Sequence, residues 1–356
     1  LYHVPHLALG AELTENFHER TKIVAFRQFF GTFGNASAVV IGLGYFFADS
    51  EGGRLSVENY TPYGITLGLL MIITIWYSAY GTQKEIPHLS VPAEKPPMNI
   101  GKRLAQETKE AFTNRSFTWL FFGVLIVFVM SGVNNALDLY MFQYFWELTG
   151  AQMLWTQVAL MVGLMSGVFL TPTLHRYADK KFGVILGTGS WAVIQVIPVV
   201  LRLTGQFPDN GDPMLITTLI TLKFLQGILL QQALVSFGSM MADVTDEHEY
   251  TTGVRQEGIF FGAIAFSAKA TSGLGNFIGG VGLDVIRWPT GPGIRTAADI
   301  PPETLVKLGL LYGPIVAAFA ILSLWCYTHY HLTKELHAEI LEKLRERRGA
   351  NSAGSV

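Results

Sequence analysis

A chain of 356 residues with 50% hydrophobic and only 15% charged residues cannot cover itself with a water-facing surface, because soluble domains carry about 25% charged residues. Its net charge of −2 supplies no basic field for nucleic acid, and its single cysteine, Cys326, excludes a disulfide framework and a thiolate metal cluster. The excess apolar mass must face lipid.

In chain order, residues 1–11 (LYHVPHLALGA) are apolar but too short to cross a bilayer, which takes about 20 residues. They read as the last turns of a helix that begins before Leu1, and no signal-peptide pattern opens the chain. After the polar stretch ENFHERTK, uncharged windows fall at 28–48, 59–83, 116–137, 148–174, 182–201 and 308–333. Windows 213–242, broken by Lys223, and 256–283, broken by Glu257 and Lys269, read as helices that carry charge inside the membrane. That makes eight complete spans.

Basic residues in the short connections set the orientation. One side gathers Arg20, Lys22, Lys84, Arg115, Arg176, Lys180, Lys181 and Arg255 with the basic tail, against Arg54, Arg287, Arg295 and Lys307 on the other. The ENFHERTK loop and the C-terminus are therefore expected on the cytoplasmic side of the cell (inner) membrane. The linker 83–115 starts Pro-rich and ends in a pattern with Ile100, Leu104 and Phe112 on one side, predicting an interfacial helix. The tail repeats the pattern with Leu336, Ile340 and Leu344 and is expected to be solvated or to lie on the membrane surface.

The chain also aligns with itself. Ala11-Glu12-Leu13-Thr14-Glu15 pairs with Ala242-Asp243-Val244-Thr245-Asp246, and in the same register Thr21 meets Thr252 and Phe29-Phe30-Gly31 meets Phe260-Phe261-Gly262. Each copy is placed on a cytoplasmic loop between two spans, which implies parallel halves related by an axis along the membrane normal. Matching the halves predicts twelve helices in all, of which this chain would hold the end of helix 4 through helix 12. The expected division is residues 1–82 as the remainder of a first six-helix half, 83–115 as linker, 116–332 as the second half and 333–356 as tail. Two six-helix halves joined by a long cytoplasmic loop are the architecture of the major facilitator superfamily, an all-α membrane fold, and the loop His175–Gly183 resembles that superfamily's acidic-then-basic signature.

A narrower resemblance lies at 241–258. The spacing of Asp243, Asp246, Glu249 and Arg255 resembles the loop between helices 10 and 11 of the glycoside-pentoside-hexuronide:cation symporters, the melibiose-carrier family. Tyr2-His3-Val4-Pro5 with Glu19-Arg20 resembles that family's exit from helix 4. The resemblance implies a secondary active transporter that moves a sugar, glycoside or uronide with Na⁺ or H⁺ by alternating access, with no cofactor, no enzymatic activity, membrane lipid and a small carbohydrate as partners, and a monomeric state. It makes the three carboxylates and Arg255 a cytoplasmic gate of exposed pairs, each contributing about 0–1 kcal/mol.

It also makes Lys269 a coupling residue. A lysine at mid-membrane costs about 2.5–3.5 kcal/mol on insertion scales, so it should face a wet cavity or a carboxylate. Asn134 and Asp138, four apart on one helix face, with Asn135, Gln231, Arg27, Gln28 and His3 complete the candidate substrate and coupling set, since a hydroxyl-rich ligand needs many amide and charged partners. Against the family's pattern, His3 replaces an acidic sugar ligand and Leu7 and Leu234 replace aromatics. A galactoside is therefore disfavoured. Alternative readings keep the fold but carry a lysolipid or other amphiphile, or make the protein a non-transporting membrane sensor.

Overall fold

In a computed structural model, residues 6, 9–10, 13–14, 17–46, 57–88, 100–254, 257–290 and 296–353 are described, and among them there is no strand. The long helices are α1 (Phe17–Ile41), α2 (Tyr60–Thr82), α4 (Arg115–Tyr140), α5 (Gly150–Tyr177), α6 (Lys180–Leu203), α7 (Pro213–Thr252), α8 (Glu257–Val285) and α9 (Pro302–Thr328). Two shorter helices complete the set: α3 (Ile100–Thr113) in the linker and α10 (Lys334–Ala353) in the tail. α4 runs on into a π turn at Met141–Phe145, and α9 contains another at Leu311–Ile315. All eight expected spans are helices. Six of them, those at α2, α4, α5, α6, α7 and α9, are long and apolar enough to cross a membrane.

The starts of these helices follow from sequence. Asn114 caps α4 by accepting from the Phe117 amide at 2.7 Å. Thr149 and Gln152 form a reciprocal box at the start of α5, and Asp212 accepts from the Met214 amide at 2.8 Å ahead of α7, with Pro213 beside it. Such caps satisfy backbone donors that a helix start leaves open. The end of α7 is set by Gly253, whose φ of 74° suits a residue with no Cβ.

α7 is the hub of the bundle and packs on both α5 and α6. Small residues make this possible, because lipid-embedded helices gain from close backbone approach. A Cβ on Gly163 of α5 would lie 2.1 Å from the Phe224 carbonyl oxygen, and one on Gly227 of α7 would lie 2.3 Å from that of Leu160. α4 packs on α8 and α9. α1 reaches this group through α5 and α7. α2, by contrast, has no buried residue, so its apolar length is left for lipid or further protein to cover.

Three expectations are corrected by the structure. The carboxylate motif is not on a loop: α7 continues unbroken to Thr252, because 243–252 hold neither Gly nor Pro and find partners on neighbouring helices. The self-alignment also fails to match element boundaries, since Thr21 lies inside α1 while Thr252 ends α7. Of the first copy, Ala11, Glu12 and Glu15 lie outside the described residues. The tail, finally, is solvated on one face only, with Glu335, Glu339 and Glu342 exposed, and is docked by the other. Ile340 and Leu344 of α10 are buried in one core cluster with Met240, Val244, Phe260 and Tyr330, whereas Leu336 stays exposed. Phe112 at the end of α3 packs edge-on against Phe117 and Phe121 beside the same cluster, while the side chains of Ile100 and Leu104 lie outside the described residues.

Candidate functional site

The end of the bundle where Arg115, Lys180 and the tail meet is the basic end. There the candidate gate is assembled around α7. Asp243 and Asp246 are 3% and 1% exposed, so they are buried carboxylates and not the exposed loop charges expected from sequence. Lys180, at the start of α6, places its Nζ 2.6 Å from Asp243 Oδ2. His337 of the tail helix sets Nε2 2.9 Å from Asp246 Oδ2 and Nδ1 3.8 Å from Asp243 Oδ1. One imidazole thus ties the tail to both carboxylates.

Further bonds extend this lattice. Asn114 and Ser116 at the start of α4 donate to Glu247 at 3.1 and 3.2 Å, and His175 at the end of α5 meets Ser236 Oγ at 2.8 Å. Arg347 donates to the Tyr250 carbonyl at 2.7 Å and lies 4.6 Å above its ring, a cation–π contact. Lys181 donates to the carbonyls of Thr328 and Tyr330, closing the C-terminal end of α9. The enclosed carboxylates show in Tyr330: burial, then Asp243, Glu247 and Asp179, push its phenol well above the ordinary tyrosine range. Glu249 lies on the partly exposed side of α7, and Arg255 lies outside the described residues.

α1 closes against this end. Thr21 and Ser239 bring their hydroxyls to 3.3 Å, Val24, Ala25, Val168 and Val235 form one buried cluster with Phe29 against it, and Phe29 meets Phe169 edge-on. Arg27 fits into this seam where Gly238 leaves room, since a Cβ there would lie 3.3 Å from its Nη2. Gln28 is half-buried on the same helix. Beyond Phe29, α1 presents Phe30, Phe33 and Val40 as exposed side chains. Phe26, within the closed stretch, is exposed on the same stripe, so these side chains mark the outer face of α1 while Thr21, Val24 and Ala25 close the seam at the basic end.

The remaining candidates do not form one constellation. Lys269 is exposed midway along α8. Asn134 is buried and exchanges amide hydrogen bonds with Gln195 of α6, at 2.8 and 2.6 Å. Asp138, one turn on, accepts from the Tyr312 hydroxyl at 2.6 Å, while Asn135 points the other way and is exposed. Gln231 is fully buried on α7, and among the described residues neither of its amide atoms has a hydrogen-bond partner. His3 lies outside the described residues.

Sequence reasoning missed Lys180 and His337 as gate members and Gln195 and Tyr312 as interior partners. Lys180 carried a signal, since it stands in the acidic-then-basic loop. His337 carried none, because only docking of the tail gives it a role.

Together the helices and the closed seam define a multi-pass membrane protein of the major facilitator fold. The chain belongs to the MFS/sugar transport protein family, whose model matches residues 1–334. It is 25% identical over 350 residues to the uncharacterized symporter YjmB of Bacillus subtilis (strain 168), covering 97% of this chain and 69% of that protein. It is 23% identical over 342 residues to a putative sulfoquinovose importer of Salmonella typhimurium (strain LT2), covering 96% and 67%. With the isoprimeverose transporter of Lactiplantibacillus pentosus it shares 22% over 288 residues, covering 78% and 54%. Two of these relatives are named for sugar-like cargo and the first only as a symporter, and the chain spans roughly half to two thirds of their lengths.

Proposed function

We propose that the protein is a secondary active transporter that carries a sugar, glycoside or uronide by alternating access, coupled to Na⁺ or H⁺, with the basic end and the tail in the cytoplasm. The observation that carries this reading is the seam of α1 with α5 and α7. It is closed at the basic end by Thr21, Val24 and Ser239 and held by the buried Lys180–Asp243 and His337–Asp246 contacts. A seam held closed at the basic end is what one of the two states of such a cycle needs.

In this reading Asp243, Asp246, Glu249 and Arg255 belong to the cytoplasmic gate. Lys269, on an exposed face of α8, couples ion to substrate, and Arg27, Gln28, Asn134, Asn135, Asp138, Gln231 and His3 belong to the substrate and coupling set. Gln231 supports this assignment, since a buried amide without a partner costs about 1–3 kcal/mol and is satisfied by water or a polar ligand. The test is uptake of a radiolabelled sugar panel by the complete gene product in proteoliposomes under imposed Na⁺ or H⁺ gradients. Gradient-dependent accumulation of at least one sugar is expected, and none with any sugar under either gradient would overturn the reading.

A further inference from the structure

Away from the gate, α4, α5, α6, α7 and α9 meet around a small, partly open cavity of about 40 Å³, room for about two or three waters. Phe142, Trp146, Thr156, Gln195, Lys223 and Gln226 line it. Several of its polar groups already have partners. Gln195 is engaged by Asn134, by the Tyr312 carbonyl at 2.7 Å and by the Trp191 indole at 3.0 Å. The Thr156 hydroxyl donates to the Met153 carbonyl at 2.7 Å.

Lys223 is different. Among the described residues its ammonium makes no hydrogen bond and no ion pair, and it lies 5.8 Å from the centre of the Phe142 ring. Asp138 is close enough for its charge to act on Lys223, yet this carboxylate is turned to the Tyr312 hydroxyl. Coulomb attraction falls only as the inverse of distance, whereas a hydrogen bond needs contact. Asp138 therefore offsets burial of the cation without occupying its three N–H donors.

A half-buried ammonium with donors unused among the described residues, facing a cavity large enough for water beside two aromatic rings and an amide, suits an anion. We infer that Lys223 binds the carboxylate or sulfonate of an acidic sugar. The acid group enters the cavity and accepts from Nζ, the ring stays at the cavity mouth, and Gln226 lies beside the acid group. This rests on the transporter reading and names the substrate class. The relatives leave that class open, since a sulfoquinovose importer and an isoprimeverose transporter are both among them.

The test measures binding of D-glucuronate, its uncharged isostere D-glucuronamide, and inorganic sulfate to the complete, purified gene product by calorimetry. Glucuronate should bind about tenfold more tightly than glucuronamide, about 1.4 kcal/mol, and more tightly than sulfate. In Lys223→Gln the ratio of glucuronate to glucuronamide affinity should fall toward one, and Lys223→Arg should keep it. A ratio near one in the unmodified protein, a ratio that survives Lys223→Gln, or sulfate binding as tightly as glucuronate would each overturn the assignment. Because Lys223→Gln can fail to fold, a second readout uses the unmodified protein. Glucuronate and not glucuronamide should shield Lys223 from reductive methylation, read by mass spectrometry, and equal labelling would also overturn it. If a neutral sugar is transported while these results fail, the anchor falls and the transporter stands; if no sugar is moved at all, the transporter reading falls first.

Discussion

Lys180 and Asp243 stand 63 positions apart in the chain yet meet at 2.6 Å with 4% and 5% side-chain exposure. At that burial the pair behaves unlike a surface bridge. Removing one partner leaves an uncompensated charge and costs about 3–5 kcal/mol, whereas removing both is far milder. Lys180→Met and Asp243→Asn should each lower the melting temperature of the purified protein and slow transport, and the double variant should recover part of both losses. Additive losses in that double-mutant cycle would dissolve the pair.

Lys269 makes the opposite prediction. It is exposed on α8, so Lys269→Gln should leave expression and thermal stability unchanged within about 0.5 kcal/mol. Gradient-driven accumulation should nevertheless be lost. Normal accumulation by this variant would remove Lys269 from coupling.

At the scale of elements, sequence placed the spans well and the tail badly. The eight windows were legible because a bilayer demands long uncharged runs, and each became a helix. The tail pattern of Leu336, Ile340 and Leu344 identified an amphipathic helix but not what it covers. Docking buried Ile340 and Leu344, exposed Leu336 and brought in His337, which is 2% exposed. Leu344→Ala should therefore cost about 2–5 kcal/mol as a buried truncation. In limited proteolysis it should speed cleavage between Thr328 and Lys334, a result that Leu336→Ala should not reproduce. Equal protection in both variants would mean that the tail is not held by this face.

At the scale of the whole molecule, the proposed cycle requires the seam between α1 and α7 to open. Thr21 and Ser239 face each other across it at 3.3 Å, and the chain contains one cysteine, Cys326, which is buried. A Thr21→Cys/Ser239→Cys variant should therefore form its own bridge on oxidation. Bridging should stop uptake by the complete gene product and reduction should restore it, while either single variant should be insensitive. Unchanged uptake in a fully bridged sample would show that this seam does not open during transport.

Sequence by itself determined that the chain lies in a membrane, where the eight long helices run among the described residues and which residues carry charge inside them. These follow from composition and hydropathic run length, both local properties. It also supplied the spacing of Asp243, Asp246 and Glu249, although the residues' setting was misread, because a run of charged residues looks the same on a loop as on a buried helix end. Tertiary structure alone decided which charges meet: Lys180 with Asp243, His337 with Asp246 and Tyr312 with Asp138, while Lys223 met no hydrogen-bond partner among the described residues. Partners so far apart in sequence are chosen by helix packing, and in this bundle glycines such as Gly163 and Gly227 set that packing by the close approach they allow.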